Sequence, residues 1–117
     1  MKHHKAIRKF GRETSERKAF VNGLVVNLIR NGRIETTLAR AKEVRPHVER
    51  LVTLAKTDSV ARRRLVSSRI MNQEVETKKL FGELAPKYKE VAGGYTRILK
   101  LPTRLSDGAE KAIIEFV

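Results

Sequence analysis

"YTRILKL" at residues 95–101 and "KAIIEFV" at residues 111–117 are where the hydrophobic rhythm of this chain changes to a period of two. Asp107-Gly108 lies between them, and the pair reads as two strands joined by a loop. Upstream the spacing is helical. Phe20, Val21, Leu24, Val25, Leu28 and Ile29 form an apolar stripe that predicts a helix over 15–31. Thr14 or Ser15 can cap it, Glu16 suits its positive end, and Asn31-Gly32 tolerates the left-handed conformation that closes a helix. The short β-branched "RIETT" that follows predicts a strand.

Thr37 is placed to cap a second helix, in which Ala41, Val44, Val48, Leu51, Val52 and Ala55 hold one register. Pro46 removes a backbone donor there, and the unbroken register predicts a kink rather than a stop. "TDS" at 57–59 caps a third helix over 60–70, with Leu65, Val66 and Ile70 inward. Asn72 caps a fourth that ends near Leu84, before Pro86, with Leu80, Phe81 and Leu84 on its inner side. The order is helix, strand, three helices, two strands. The expected fold is therefore α+β and two-layered: a three-stranded sheet with helices packed on one face. A basic N-terminal arm at 1–13 precedes a single globular domain at 14–117.

Composition bounds the function. A chain of 117 residues with 40% hydrophobic content can enclose one modest core without metals or disulfides. There is no cysteine, which excludes a disulfide framework and thiolate metal sites. Lys and Arg number 26 against 13 Asp and Glu, for a net charge of +13. Self-repulsion of that size calls for a counter-charge in the working state, and nucleic acid is the commonest source. The longest apolar stretch, 23–29, is interrupted by Asn27 and falls far short of the roughly 20 residues of a spanning helix. Glu13, Glu16, Arg17 and Lys18 stand where a secretory signal needs its apolar core. A mitochondrial presequence is unexpected too, because the basic start runs directly into the predicted domain.

Three basic clusters are candidate RNA contacts. The arm "MKHHKAIRKFGR" carries Lys2, His3, His4, Lys5, Arg8, Lys9 and Arg12, and Arg17 and Lys18 extend it onto the first helical turn. Such an arm orders when it neutralises phosphates and releases counterions, whereas an isolated one stays a solvated tail. In "ARRRLVSSR" at 61–69, three successive arginines cover about 300 degrees of a helix. At least one must then turn toward the edge of the core or an acidic neighbour, while Arg62, Arg63 and Arg69 lie on related faces. In "PKYKEVAGGYTR" at 86–97, Lys87, Lys89 and Arg97 alternate with Tyr88 and Tyr95, an arrangement suited to phosphate contact beside ring packing on ribose or an unpaired base. The plainer alternative is a turn before a strand, with tyrosines at the rim of the core. The adjacent His3 and His4 lack nearby co-ligands, and His47 is distant, so no metal is expected. No carboxylate pair, phosphate-cradling loop or nucleophile elbow occurs, so neither catalysis nor a cofactor is expected.

With those residues in view, the chain resembles the bacterial large-subunit ribosomal protein L17 family. Four blocks carry the resemblance in order: "MKHHKAIRKFGRETSERKA" (1–19), "IETTLARAKEVR" (34–45), "LVTLAKTDSVARRRL" (51–65) and "LFGELAPKYKEVAGGYTRILKL" (80–101). Ala39, Pro46 and Lys111 depart from the family's pattern. The resemblance implies a two-layer α/β fold and a structural constituent of the 50S subunit, bound to 23S ribosomal RNA on the solvent side near the nascent-chain exit. It implies neighbouring large-subunit proteins, a cytoplasmic location within the ribosome, and a part in subunit assembly and translation. It implies no membrane, no small-molecule substrate, no cofactor and no catalysis. A DNA-binding module is a rival, though the third and fourth helices lack a glycine turn and base-reading amides. A membrane-active helix is another, but Asn22 and Asn27 occupy the surface that would have to be basic. A protein–protein adaptor stays open, and nuclease sensitivity of any complex would separate it.

Overall fold

The computed structural model describes residues 14–117; the expected arm at 1–13, with Lys2, His3, His4, Lys5, Arg8, Lys9 and Arg12, lies outside the described residues. The first helix, α1 (Thr14–Asn31), has Glu16 in its first turn and Arg30 in its last, both matched to the helix dipole. It buries Val21, Val25, Val26, Leu28 and Ile29, with Phe20 and Leu24 partly covered. Gly32 ends it at φ +79°, a left-handed conformation that a side chain would strain. The chain then enters β1 (Arg33–Thr37).

The Thr37 hydroxyl accepts from the Arg40 N–H at 3.3 Å and opens α2 (Leu38–Ala55). Helix α2 passes through Pro46 in one piece. Pro46 and Lys42, whose carbonyl loses its donor, are both exposed, so water can satisfy that oxygen. The buried row Ala41, Val44, Val48, Leu51, Val52 and Ala55 runs through both halves, so the proline does not stop the helix. The Ser59 hydroxyl accepts from the Arg62 N–H at 3.1 Å and caps α3 (Val60–Arg69). Within α3 only Val66 is buried; Leu65, expected inward, is 38% exposed. Val66 and Ile70, four residues apart on one face, fill the core side of this short helix and its cap.

The turn after α3 corrects a second expectation. Met71 and Asn72 adopt φ +59° and +57°, and the Asn72 N–H bonds to the Ser67 carbonyl at 2.8 Å. Asn72 therefore closes α3 rather than capping the next helix, which starts after Gln73 as α4 (Glu74–Lys79). Without a break the backbone widens into a π-helical turn, Leu80–Leu84, in which the Ala85 N–H reaches back to the Leu80 carbonyl. The helical path continues past the expected stop, through Pro86, in a last turn at Ala85–Lys87. The wide turn lets Leu80, Phe81, Leu84, Ala85 and Tyr88 all reach the core.

Strands β2 (Thr96–Leu101) and β3 (Lys111–Phe116) complete an antiparallel sheet in the order β1-β3-β2. Ile34, Ile114 and Ile98 lie side by side on the inner face. Ala112 and Ile114 are fully buried there under α2, which packs on all three strands. The expected two-layer α+β arrangement with helices on one face is thus the observed one. Helix α2 is also tied to the edge strand β2: the Glu49 carboxylate accepts from the Thr96 N–H at 3.1 Å and its hydroxyl at 2.9 Å.

Candidate nucleic-acid interface

Three helices meet along one surface groove of about 440 Å³. Helix α1 contributes Lys18, Asn22 and Val25, α2 contributes His47, Arg50 and Leu51, and α3 contributes Ser68 and Arg69. The positions 18, 22 and 25 repeat at i, i+4 and i+7, so they share one helix face. Positions 43, 47 and 50 repeat the same way on α2. A smaller hollow of about 170 Å³ prolongs the groove through Arg17, Val21 and Glu43, sharing Lys18, Asn22 and His47 with it. Val21, Val25 and Leu51 are buried and make a rigid apolar floor beneath the polar rim.

The rim carries four cations, Arg17, Lys18, Arg50 and Arg69, and one carboxylate, Glu43. Among the described residues no ion pair involves Arg17, Lys18, Arg50 or Arg69. Partial burial holds the His47 imidazole below its ordinary pKa, and the Arg50 cation adds to the effect while Glu43 opposes it. His47 is therefore a neutral hydrogen-bonding group among fixed cations in the free protein near pH 7.

Cations elsewhere are mostly committed. Arg62 donates to the Leu54 carbonyl at 3.4 Å, covering an orphan acceptor at the end of α2. Arg63 forks onto Asp58 at 2.7 and 2.8 Å and lies 4.9 Å over the Phe81 ring. That hydrogen bond holds the Asp58 carboxyl below the usual carboxylate range. Two of the three successive arginines thus turn toward the fold, as the geometry of the run requires, and Arg64 stays exposed. Arg97 bonds Glu115 at 2.7 Å on the far face of the sheet. Lys79 donates to the Arg30 carbonyl, and Arg30 pairs at 2.8 Å with the buried Glu76.

Of the sequence-predicted residues, Arg17, Lys18 and Arg69 come together in the groove. Arg62, Arg63 and Arg97 are placed apart from it with partners of their own, and Lys87 and Lys89 lie exposed. The two tyrosines take the plainer alternative. Tyr88 is 4% exposed and Tyr95 1%, with ring centroids 5.2 Å apart. The Tyr88 hydroxyl donates to the Val117 carbonyl at 2.6 Å, and Tyr95 shares a 3.1 Å hydrogen bond with the Thr53 hydroxyl. Their faces are occupied by the core and by Lys56 and Lys87, leaving none for a base. Asn22, His47, Arg50 and Ser68 join the groove although none of them is among the expected RNA contacts. The 43, 47, 50 spacing was a visible signal; its neighbours on α1 and α3 were not.

Among the described residues, no group of three potential ligands could hold a metal ion, and no helix is long and apolar enough to cross a membrane. A rim of free cations, an amide, an imidazole and a hydroxyl above an apolar floor suits phosphate and ribose oxygens. A profile of the family described as "Ribosomal protein L17" matches residues 20–117. A large ribosomal subunit protein bL17 of Dictyoglomus turgidum is 51% identical over 117 residues, covering all of both chains. One from Sulfurihydrogenibium sp. is 50% identical over 118 residues, covering all of this chain and 97% of its own. One from Fusobacterium nucleatum is 47% identical over 117 residues, covering all of both chains.

Proposed function

The chain belongs to the ribosomal protein L17 family, whose members are structural and non-enzymatic, and from that premise we propose that it is a constituent of the bacterial large ribosomal subunit that binds 23S rRNA through the α1–α2–α3 groove. The supporting observation is convergence: Arg17, Lys18, Arg50 and Arg69, drawn from three helices, line one continuous groove and among the described residues none of them is ion-paired. Arg50 and Arg69 can fork onto phosphate oxygens, Lys18 offers a point charge, and Asn22 and Ser68 can bond 2′-hydroxyls. Such contacts fix register and orientation, with RNA identity coming from folded shape.

Lys5, Arg8, Lys9 and Arg12 of the basic arm, outside the described residues, are proposed to add further phosphate contacts. Neighbouring large-subunit proteins and a place within the cytoplasmic ribosome follow from this reading. The test is sedimentation of the native protein on a sucrose gradient at moderate salt, with and without ribonuclease. Co-migration with the large subunit that ribonuclease abolishes is expected. Migration with a ribonuclease-resistant protein complex would favour the adaptor instead.

A further inference from the structure

We propose that the outer face of the sheet and the 102–110 loop form a docking surface for another protein of the particle, with Leu105 as its anchor. The proposal rests on the ribosomal reading above. On the outer face the register brings together Arg33, Glu115 and Arg97, then Glu35, Ile113 and Leu99, then Thr37, Lys111 and Leu101. The helices lie on the other side, against Ala112 and Ile114. Leu99 is 44% exposed, and Leu105 is exposed in full. Leu101 and Ile113 are partly covered and join Leu99 into one apolar strip.

Charge decides between protein and nucleic acid here. Arg97 and Arg33 share Glu115 at 2.7 and 3.8 Å, Lys111 meets Glu35 at 3.1 Å, and Arg104 meets Asp107 at 2.7 Å. Every cation of this face and loop thus has a carboxylate, in a chain whose net charge is +13. A phosphate approaching it would have to displace a charge-assisted hydrogen bond and would meet Glu35, Asp107 and Glu115 at close range. Uncharged apolar groups meet no such opposition. Arg33, Arg97, Arg104 and Lys111 are balanced by Glu35, Asp107, Glu110 and Glu115, so this surface carries no net charge and the matching partner presents an apolar patch.

The loop is already shaped for the encounter. Arg104 and Ala109 are joined by a 2.9 Å backbone bond, the Gly108 N–H reaches the Arg104 carbonyl at 2.8 Å, and Gly108 takes φ +68°. The Arg104 guanidinium forks onto Asp107 at 2.9 and 2.7 Å, and Asp107 also accepts from the Ala109 N–H at 3.1 Å. Leu105 rides on this braced turn, so little ordering cost remains when it is buried against a partner. A fully exposed leucine gains from burial of its side chain against an apolar partner.

The experiment places p-benzoylphenylalanine at Leu105 in the full chain, assembles it into large subunits in cells, and irradiates the purified particles. A covalent adduct that survives ribonuclease, yields to protease and contains a different ribosomal protein is expected. An adduct to rRNA, an adduct to a second copy of this chain, or none in particles that contain the protein overturns the inference alone. Absence of the protein from the particles overturns the functional reading with it. Leu105→Asp gives a second readout: RNA-fragment affinity within twofold of the parent, but several-fold lower occupancy in subunits when co-expressed with it. Equal occupancy would count against the docking surface.

Discussion

Removing the three groove cations together should change how RNA binding responds to salt by a calculable amount. Lys18, Arg50 and Arg69 come one from each of α1, α2 and α3, and all three are exposed, so truncation to Ala leaves the core untouched. Each phosphate contact contributes about 0.7 to 0.9 to the slope of log affinity against log salt. Losing three flattens the slope by roughly 2 to 2.7, and over a fourfold rise in salt this amounts to about 20- to 40-fold less loss of affinity than the parent shows. The assay is filter binding of a labelled rRNA fragment across a salt series, with circular dichroism to verify folding. Arg63→Ala and Arg104→Ala serve as controls. Both residues are already paired, to Asp58 and Asp107, and each should alter the slope by less than one contact. A folded triple variant with the parent's slope would refute the reasoning, and so would controls that flatten it equally.

His47 gives a pH signature. Burial depresses its pKa in the free protein, while bound phosphates would raise it, so binding takes up a proton and affinity should climb as pH falls from about 8 to about 6 through the ordinary imidazole range. His47→Gln should remove that part of the rise, seen by titrating the same fragment at each pH. Glu49→Ala should cost about 2–3 kcal/mol, since it strands the Thr96 N–H and hydroxyl that it now satisfies; thermal unfolding measures this, with Glu49→Gln retaining an acceptor and losing less. Glu115 is held below its usual pKa mainly by its hydrogen bond to Arg97, so the unfolded chain binds the extra proton first. Stability present above the ordinary carboxylate range should therefore fade as pH drops through it, and urea titrations should show a flatter decline for Glu115→Gln.

The sequence by itself determined the local structure. The switch to a period of two marks β2 and β3, the row from Ala41 to Ala55 marks α2, and Thr37 and Ser59 occupy their cap positions because capping needs only a hydroxyl two or three residues from its N–H. The charge excess and the four blocks also pointed to an RNA partner and a family without any coordinates. Tertiary structure decided which cations remain free. Arg97 is neutralised by a glutamate 18 residues away and Arg30 by one 46 residues away, distances in sequence that no periodicity spans. The same applies to Tyr88 and Tyr95, whose rings meet Phe116 and Lys56 only once β2, β3 and α2 have come together. The groove exists for the same reason: helical spacing aligns residues along one face, but only packing sets the faces of α1, α2 and α3 side by side.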